Sequence, residues 1–311
     1  MNITIVGAGG MGSRFAVMLK QAGNDVTLID GWKDNVQAIR EHGIQAQYNG
    51  DPLVVKLPIY ELAEVDQIPA TSELVILFVK SNQLDQTCNQ IKKLLTPNTY
   101  ILCLLNGLGH EEVLQKYIDT NRLLLGITMW TAGMQGPGHP ILQGNGNIEL
   151  QNFGDQGEDV AQKVVQVMDD AGLNAVYSQN VKYSIWRKAC VNGTLNCLCS
   201  LLECNMKQLG QTKEAPEFLK TIIAEFAAVA SHEGVDLDQK EVYQHIAETF
   251  DGDIAEHYPS MYQDLVQNHR LTEIDYINGA VWRKGQKYGV PTPYCQLITQ
   301  LIHAKEQILC K

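Results

Sequence analysis

Three polar residues recur at a spacing of four inside an otherwise apolar stretch: Lys188, Asn192 and Asn196, within Trp186-Arg187-Lys188-Ala189-Cys190-Val191-Asn192-Gly193-Thr194-Leu195-Asn196. On an α-helix four residues advance the chain by ~6 Å and ~400° of rotation. The three side chains then form one slightly spiralling row, with Lys188 and Asn196 ~12 Å apart along the axis. Their neighbours Ile185, Ala189, Cys190, Val191, Leu195, Cys197 and Leu198 belong inside a protein. One ammonium and two carboxamides in such company need partners or a ligand, and they suit a small anionic molecule. A solvated helix face carries the same pattern, so the rest of the chain has to decide.

The elements that would position this row divide at about residue 180. Before it, strands and helices alternate. Asn2-Ile3-Thr4-Ile5-Val6 is a β-branched run suited to a buried parallel strand. Gly7-Ala8-Gly9-Gly10-Met11-Gly12 follows, and then a helical stretch with Phe15, Ala16, Met18 and Leu19. This is G-x-G-x-x-G in the strand–turn–helix setting that makes it a dinucleotide fingerprint. Gly7 permits the tight turn, Gly9 lets a pyrophosphate reach the backbone, and Gly12 lets helix and strand pack closely. The N–H groups of Ala8, Gly10 and Met11 lie where the helix start receives phosphates. Asp25-Val26-Thr27-Leu28-Ile29-Asp30 is the second strand. A carboxylate at its end accepts hydrogen bonds from the adenosine ribose hydroxyls and repels a 2′-phosphate, so Asp30 leans towards NADH over NADPH. Lys33, nearby, pulls the other way.

Apolar runs at 74–79 and 100–105 read as further buried strands, each ending at a polar residue on the edge where a parallel sheet places ligands: Lys80 and Asn106-Gly107. Lys80 is as readily a solvated strand end as a cofactor contact. Leu123–Thr128 continues the sheet, 133–146 reads as turns between short strands, and a helix at 159–171 with a strand near 175–178 closes the domain. The expected architecture is an α/β Rossmann-type parallel-sheet domain, 1–180, followed by an all-α domain, 181–311, with the active site in the cleft between them. Helices in the second half are expected at 183–202, 217–233, 238–248, 261–267, 273–288 and 294–309.

Composition narrows the partners. The 311 residues carry a formal net charge of −11 and no basic block, which argues against nucleic-acid or anionic-membrane surfaces. The chain opens directly on a strand without a charged leader, and its most apolar later stretch, 221–230, is interrupted by Glu225 and too short to span a bilayer. A cytoplasmic protein is the expectation, with its eight cysteines reduced and mostly buried. Cys190, Cys197, Cys199 and Cys204 cluster without a C-x-x-C pair or a nearby histidine, so no metal site is expected. The eight histidines suit surface or packing roles.

Read together, several blocks resemble the ketopantoate reductases (2-dehydropantoate 2-reductases) over nearly the whole chain. They are Gly7-x-Gly9-x-x-Gly12, Val79-Lys80-Ser81-Asn82-Gln83, Leu105-Asn106-Gly107 and Trp186-x-Lys188-x-x-x-Asn192-x-x-x-Asn196. Ser260-Met261-Tyr262-Gln263-Asp264 and Arg270-Leu271-Thr272-Glu273-Ile274-Asp275-Tyr276-Ile277-Asn278-Gly279 complete the set and are its most specific members. Two positions depart from the family: Cys197 stands where proline is common after the second asparagine, and Tyr294 where asparagine is common.

The resemblance implies reduction of 2-dehydropantoate to pantoate by NADPH or NADH, the step that feeds pantothenate and coenzyme A. It implies Lys188 as proton donor, and an ammonium in a closed site does stabilise a developing alkoxide and then protonate it, with burial lowering its pKa. It implies substrate contacts from Asn192, Asn196 and Ser260, and more weakly from Asn205, where the register is off by one. Glu273 would bridge the cofactor and substrate regions or orient Lys188. Asn106 would hold the nicotinamide side and the lysine together, and Ala132 would meet the cofactor through its backbone. Plain structural roles compete: Glu273 as a first-turn helix carboxylate, Ser260 as an N-cap. A homodimer, if one forms, would use the helical domain. Competing functions are reduction of another branched 2-oxo acid on the same scaffold, the more distant β-hydroxyacid and 6-phosphogluconate dehydrogenases, and a non-catalytic NAD-sensing module. The blocks at 260–264 and 272–279 argue against the dehydrogenases, and retention of Lys188, Asn192, Asn196, Ser260 and Glu273 against the sensor.

Overall fold

The computed structural model describes residues 1–252 and 254–310 and divides into two compact units. Met1–Leu105 and His110–Val181 form the first, Asn106–Gly109 and Lys182–Lys311 the second. The four residues Asn106–Gly109 thus group with the helices, although they follow directly on the strand pattern of the sheet domain.

The first unit opens with β1 (Asn2–Val6), α1 (Gly10–Gln21), β2 (Asp25–Asp30) and α2 (Lys33–His42). It continues through β3 (Ile44–Tyr48), β4 (Asp51–Val55), β5 (Ile59–Glu61), β6 (Leu74–Leu77), α3 (Leu84–Ile91), β7 (Tyr100–Cys103) and α4 (His110–Leu114). It ends with β8 (Leu123–Thr128), β9 (Gly133–Gly136), β10 (His139–Leu142), β11 (Ile148–Asn152), α5 (Glu158–Asp170) and β12 (Ala175–Tyr177). Eight strands form one sheet in the order β12-β11-β8-β7-β6-β1-β2-β5. Its pairs are parallel except β8 with β11. The central strands are buried on both faces, which is why they read as largely apolar runs without regular alternation.

A second sheet, β4-β3-β10-β9, takes in the short strands expected within 133–146 as β9 and β10, while its β3–β4 hairpin was not anticipated. Its hairpin does carry a signal: Ile44-Gln45-Ala46-Gln47-Tyr48 alternates, and Asn49 and Gly50 both take positive φ, the requirement of a tight two-residue turn. β6 and β7 each end two residues before their apolar runs do. Past β6 the chain crosses the glycine loop, where Phe78 donates its N–H to Val6 and leaves no room for a side chain at Gly7.

Arg14 ties α1 to the chain beyond β8. It is 1% exposed, and its guanidinium lies over the Trp130 ring and donates to the carbonyls of Thr131 and Gln143 at 3.0 and 2.7 Å. Burial lowers its pKa. The fork thus donates to two backbone carbonyls, and the aromatic face adds a cation–π contact to the buried charge.

The second unit contains α6 (Val181–Leu202), whose first residue belongs to the first unit, then α7 (Met206–Gly210), α8 (Ala215–His232), α9 (Gln239–Glu248), α10 (Ser260–Tyr262), α11 (Asn278–Tyr288) and α12 (Pro293–Leu309). Its core gathers Ile223, Phe226, Leu265, Val281 and Ile302. α10 runs on into a wide π turn, Gln263–Gln267. The continuous helix expected over 273–288 is interrupted: a 3₁₀ turn covers Ile274–Tyr276, Ile277 breaks the helical geometry at φ −112° and ψ −101°, and α11 begins afresh at Asn278. Glu225, buried within α8, accepts the Tyr294 and Cys295 N–H groups at 2.8 Å each and so caps the start of α12. The Tyr294 side chain stands exposed, as do Leu297, Leu301 and Ile308 further along α12. Six of the eight cysteines are buried. Among the described residues no helix is long and apolar enough to cross a membrane, and no cluster of three or more His, Cys, Asp or Glu could hold a metal ion.

The glycine loop separates packing from ligand access. A Cβ on Gly12 would lie 1.8 Å from the Gly7 carbonyl oxygen, whereas one on Gly9 would meet no protein atom within 4 Å. Gly12→Ala is expected to destabilise the protein by about 3 kcal/mol or more. Gly9→Ala is expected to leave thermal unfolding nearly unchanged, a contrast that calorimetry of the two variants checks.

Candidate active site

In the first unit the glycine loop is held from beneath by side chains. Asp30 accepts the Ala8 N–H at 2.6 Å through one oxygen and the Trp32 N–H at 2.8 Å through the other. Ser13 and the fully buried Asn35 donate to the Ala8 carbonyl at 2.9 and 3.0 Å, and Asn35 accepts the Gly138 N–H at 2.8 Å. Sequence reasoning missed Asn35, which reads as an ordinary polar residue of an exposed helix face. Gly10 lies against Ala132: a Cβ there would come within 3.0 Å of the Ala132 backbone. The open space over Gly9, and a twelve-residue helix whose start no side chain caps, fit the pyrophosphate of a dinucleotide. Met11 is half-buried in the first turn of that helix. Lys80 is exposed and precedes the single turn Ser81–Gln83. That turn is anchored by buried His110, whose Nε2 lies 2.9 Å from Ser81 Oγ. Desolvation lowers the His110 pKa to about 4, so the ring is neutral at pH 7 and serves packing.

The second unit contains a cavity of about 240 Å³, its open mouth included. Asn192 and Asn196 from α6, Ser260 and Met261 from α10, Asp264 from the π turn, Glu273 and Ile277 from around the 3₁₀ turn, and Asn106 line it. Asn196 is 8% exposed and its Nδ2 donates to Ser260 Oγ at 3.3 Å. Pro259 takes the N-cap position and Ser260 is the first helical residue, so the N-cap alternative gives way to a place in the cavity lining. Asn106 reaches the same place because Gly107, at φ +110°, lets its loop lie on the 3₁₀ turn. Leu108 donates to the Tyr276 carbonyl at 2.7 Å, and a Cβ on Gly107 would lie 2.3 Å from that same oxygen.

Lys188 is one helical turn before Asn192 and half-buried; it is not among the cavity's lining residues. Desolvation lowers its pKa to about 8, and the Glu273 carboxylate pulls it back upward. An ammonium in this range is a far better proton donor near neutral pH than an ordinary lysine. Glu273 stands at the start of the 3₁₀ turn, not in the first turn of a long helix, and this removes the simple dipole explanation for it.

Asn205 is not brought to the cavity. Its side chain accepts the Gln208 N–H at 2.9 Å and caps α7, while Gln208 accepts the Asn205 N–H at 3.0 Å in return. Asp264, Met261 and Ile277 line the cavity without having been assigned to it. Asp264 is 8% exposed and paired with Arg270 at 3.1 Å, so its charge is balanced beside the cavity. Their spacing from Ser260 and Glu273, one and four residues, was the available signal. Cys197 lies beneath the cavity wall, where burial pushes its thiol pKa up, which makes it a packing group and not a nucleophile.

Two family descriptions match the chain: "Ketopantoate reductase PanE/ApbA" over residues 3–155 and "Ketopantoate reductase PanE/ApbA C terminal" over residues 180–306. The 2-dehydropantoate 2-reductase of Lactococcus lactis subsp. lactis is 54% identical over 310 residues, covering 99% of each chain. Among solved structures, D-mandelate dehydrogenase in a ternary complex with NADH and anilino(oxo)acetate superposes with a TM-score of 0.95 at 52% identity, covering 99% of both chains. A ketopantoate reductase family member from Ralstonia eutropha JMP134 follows at a TM-score of 0.88 and 25% identity, with both chains fully covered. The glycine loop, the lysine–asparagine helix and the blocks around Ser260 and Glu273 thus sit in a chain that belongs to the ketopantoate reductase family.

Proposed function

We propose that this protein is a 2-dehydropantoate 2-reductase: it reduces the 2-oxo group of 2-dehydropantoate to the hydroxyl of pantoate. One observation carries the reading. An ammonium whose acidity is tuned to about pH 8 sits one helical turn from a small cavity lined by carboxamides and a serine hydroxyl. A reduced nicotinamide cofactor, when bound, supplies the hydride. Lys188 donates the proton that converts the developing alkoxide into the hydroxyl, and Glu273 keeps that proton on the lysine until it is needed. Asn196 and Ser260 hydrogen-bond the substrate carboxylate, while Asn192 and Asn106 address its remaining polar atoms. The 54% identity to the Lactococcus lactis enzyme supports the substrate assignment.

The cofactor assignment is NADH. Asp30 ends β2 half-buried, with its carboxylate fixed by the Ala8 and Trp32 N–H groups, so a negative charge stands where a 2′-phosphate would have to go. The solved D-mandelate dehydrogenase complexes with NADH support the same choice.

A second reading has its own support. D-mandelate dehydrogenase is 52% identical with a TM-score of 0.95, and its bound anilino(oxo)acetate is a 2-oxo acid with an aromatic substituent. Under that reading the same anchors hold the 2-oxo acid end, and the site takes a bulkier apolar group.

Four measurements test these assignments. With ketopantoate as substrate, kcat/KM is expected to exceed that for phenylglyoxylate, the oxidised form of mandelate, and for 2-oxoisocaproate. A reversed order assigns the site to the second reading. Lys188→Ala is expected to lower kcat by about 10³-fold, since general-acid groups contribute 10²–10⁴, while cofactor affinity by fluorescence titration stays near wild type. In the wild-type enzyme kcat should be level below pH 8 and fall as the pH rises past it, because the proton donor deprotonates. Asp30→Ala is expected to raise the NADPH-to-NADH ratio of kcat/KM by about tenfold, a change of ~1.4 kcal/mol. Equal losses with both cofactors would leave Asp30 only its role beneath Ala8.

A further inference from the structure

We infer that Asn278 is a positioning residue, whose buried carboxamide keys the turn of α6 that carries Asn192 and Asn196 to the segment that carries Glu273 and Ile277. The inference rests on the reading of Lys188 as proton donor and assigns a function to a residue outside the cavity's lining. Asn278 is 0% exposed. Its Nδ2 donates to the Gly193 carbonyl at 3.1 Å, and its Oδ1 accepts from Cys197 Sγ at 3.0 Å. Gly193 and Cys197 lie one helical turn apart, and each is the chain neighbour of a cavity asparagine. Attachment at two points, ~6 Å apart along the axis, opposes both rotation and sliding of the helix.

The surroundings are shaped for this contact. A Cβ on Gly193 would lie 2.4 Å from the Phe226 ring and 3.0 Å from Asn278 Oδ1. A glycine inside a helix is unfavourable relative to alanine, and here it admits the carboxamide. Nδ2 also lies 3.8 Å from Cys295 Sγ on α12, whose start is capped by Glu225. An apolar side chain of similar volume would fill the same space; what it lacks is the preference for one register.

On its other side Asn278 is five residues from Glu273, and that span is short and braced. Tyr276 N–H donates to the Glu273 carbonyl at 2.9 Å, Ile277 N–H to the Ile274 carbonyl at 3.1 Å, and Leu108 N–H to the Tyr276 carbonyl at 2.7 Å. The carboxamide therefore fixes Glu273 relative to the helix bearing Lys188. Glu273 is the charged group acting on that ammonium, while the other cavity carboxylate, Asp264, is paired with Arg270. Loss of the key weakens the hold of Glu273 on the lysine proton.

The test is the kcat–pH profile of Asn278→Leu at saturating cofactor and substrate, beside Val281→Ala as a core-destabilised control on the same helix. Asn278→Leu is expected to lower kcat by about tenfold or more through misplacement, leave cofactor affinity unchanged and move the alkaline limb to lower pH. The shift should vanish in a Glu273→Gln background, and Val281→Ala should lower Tm without moving the limb. Cys197→Ala, which removes one of the two attachments and leaves the carboxamide in place, should shift the limb the same way by less. That variant decides the matter if Asn278→Leu does not fold. An unmoved limb in these variants, or an equal shift in Val281→Ala, overturns the inference. Substantial turnover by Lys188→Ala instead overturns the proton-donor reading beneath it.

Discussion

The second unit is organised around one opposition: burial expels the charge of Lys188, and the Glu273 carboxylate retains it. Neither effect alone yields a useful acid. Burial without a carboxylate drives the lysine neutral, and a carboxylate in water leaves it near its ordinary value. The balance at about 8 depends on where Glu273 stands, and Glu273 is on no regular helix. It is held by a 3₁₀ turn whose carbonyl is taken by Leu108, against a loop that only glycine at 107 allows so close. The same loop brings Asn106 to the cavity, so a single backbone contact places both an electrostatic partner and a cavity-lining carboxamide.

A comparable economy operates in the first unit. The backbone of the glycine loop presents itself to a ligand, and buried polar side chains hold it there. Asp30 takes the Ala8 N–H, while Ser13 and Asn35 take its carbonyl. Arg14 fastens the following helix to the chain around Ala132. In both units the groups of the candidate site are set by second partners buried behind them. A site whose support is left loose by 1 Å loses much of its rate.

What was legible in the sequence followed from local physics. β1 and β2 were readable to the residue, because β-branched and aliphatic residues fill their interiors and glycines punctuate their ends. The row on α6 was readable from its spacing. Features that depend on distant contacts were not. The break at Ile277 carries no proline or glycine; it exists because the preceding turn docks on the Asn106–Gly109 loop. That loop belongs with the helices for the same reason. Asn205 caps α7, a role the sequence reading did not assign because a cap and a ligand group use the same residue type; its partner Gln208 three residues on was the clue to the cap. Asp264 was passed over because its partner, Arg270, becomes a neighbour only through the π turn.

The two proposed substrates share a 2-oxo acid end, and the chain is 54% identical to a 2-dehydropantoate 2-reductase and 52% identical to a D-mandelate dehydrogenase. That end is where Lys188, Glu273, Asn196 and Ser260 are assigned, so the tuned lysine underlies either substrate. Its titration is the most direct test. Heteronuclear NMR of lysine-labelled protein, with the Lys188 signal identified by its loss in Lys188→Arg, should give a pKa of about 8, falling further in Glu273→Gln. A value near the ordinary 10.5, or one indifferent to Glu273, would contradict the account.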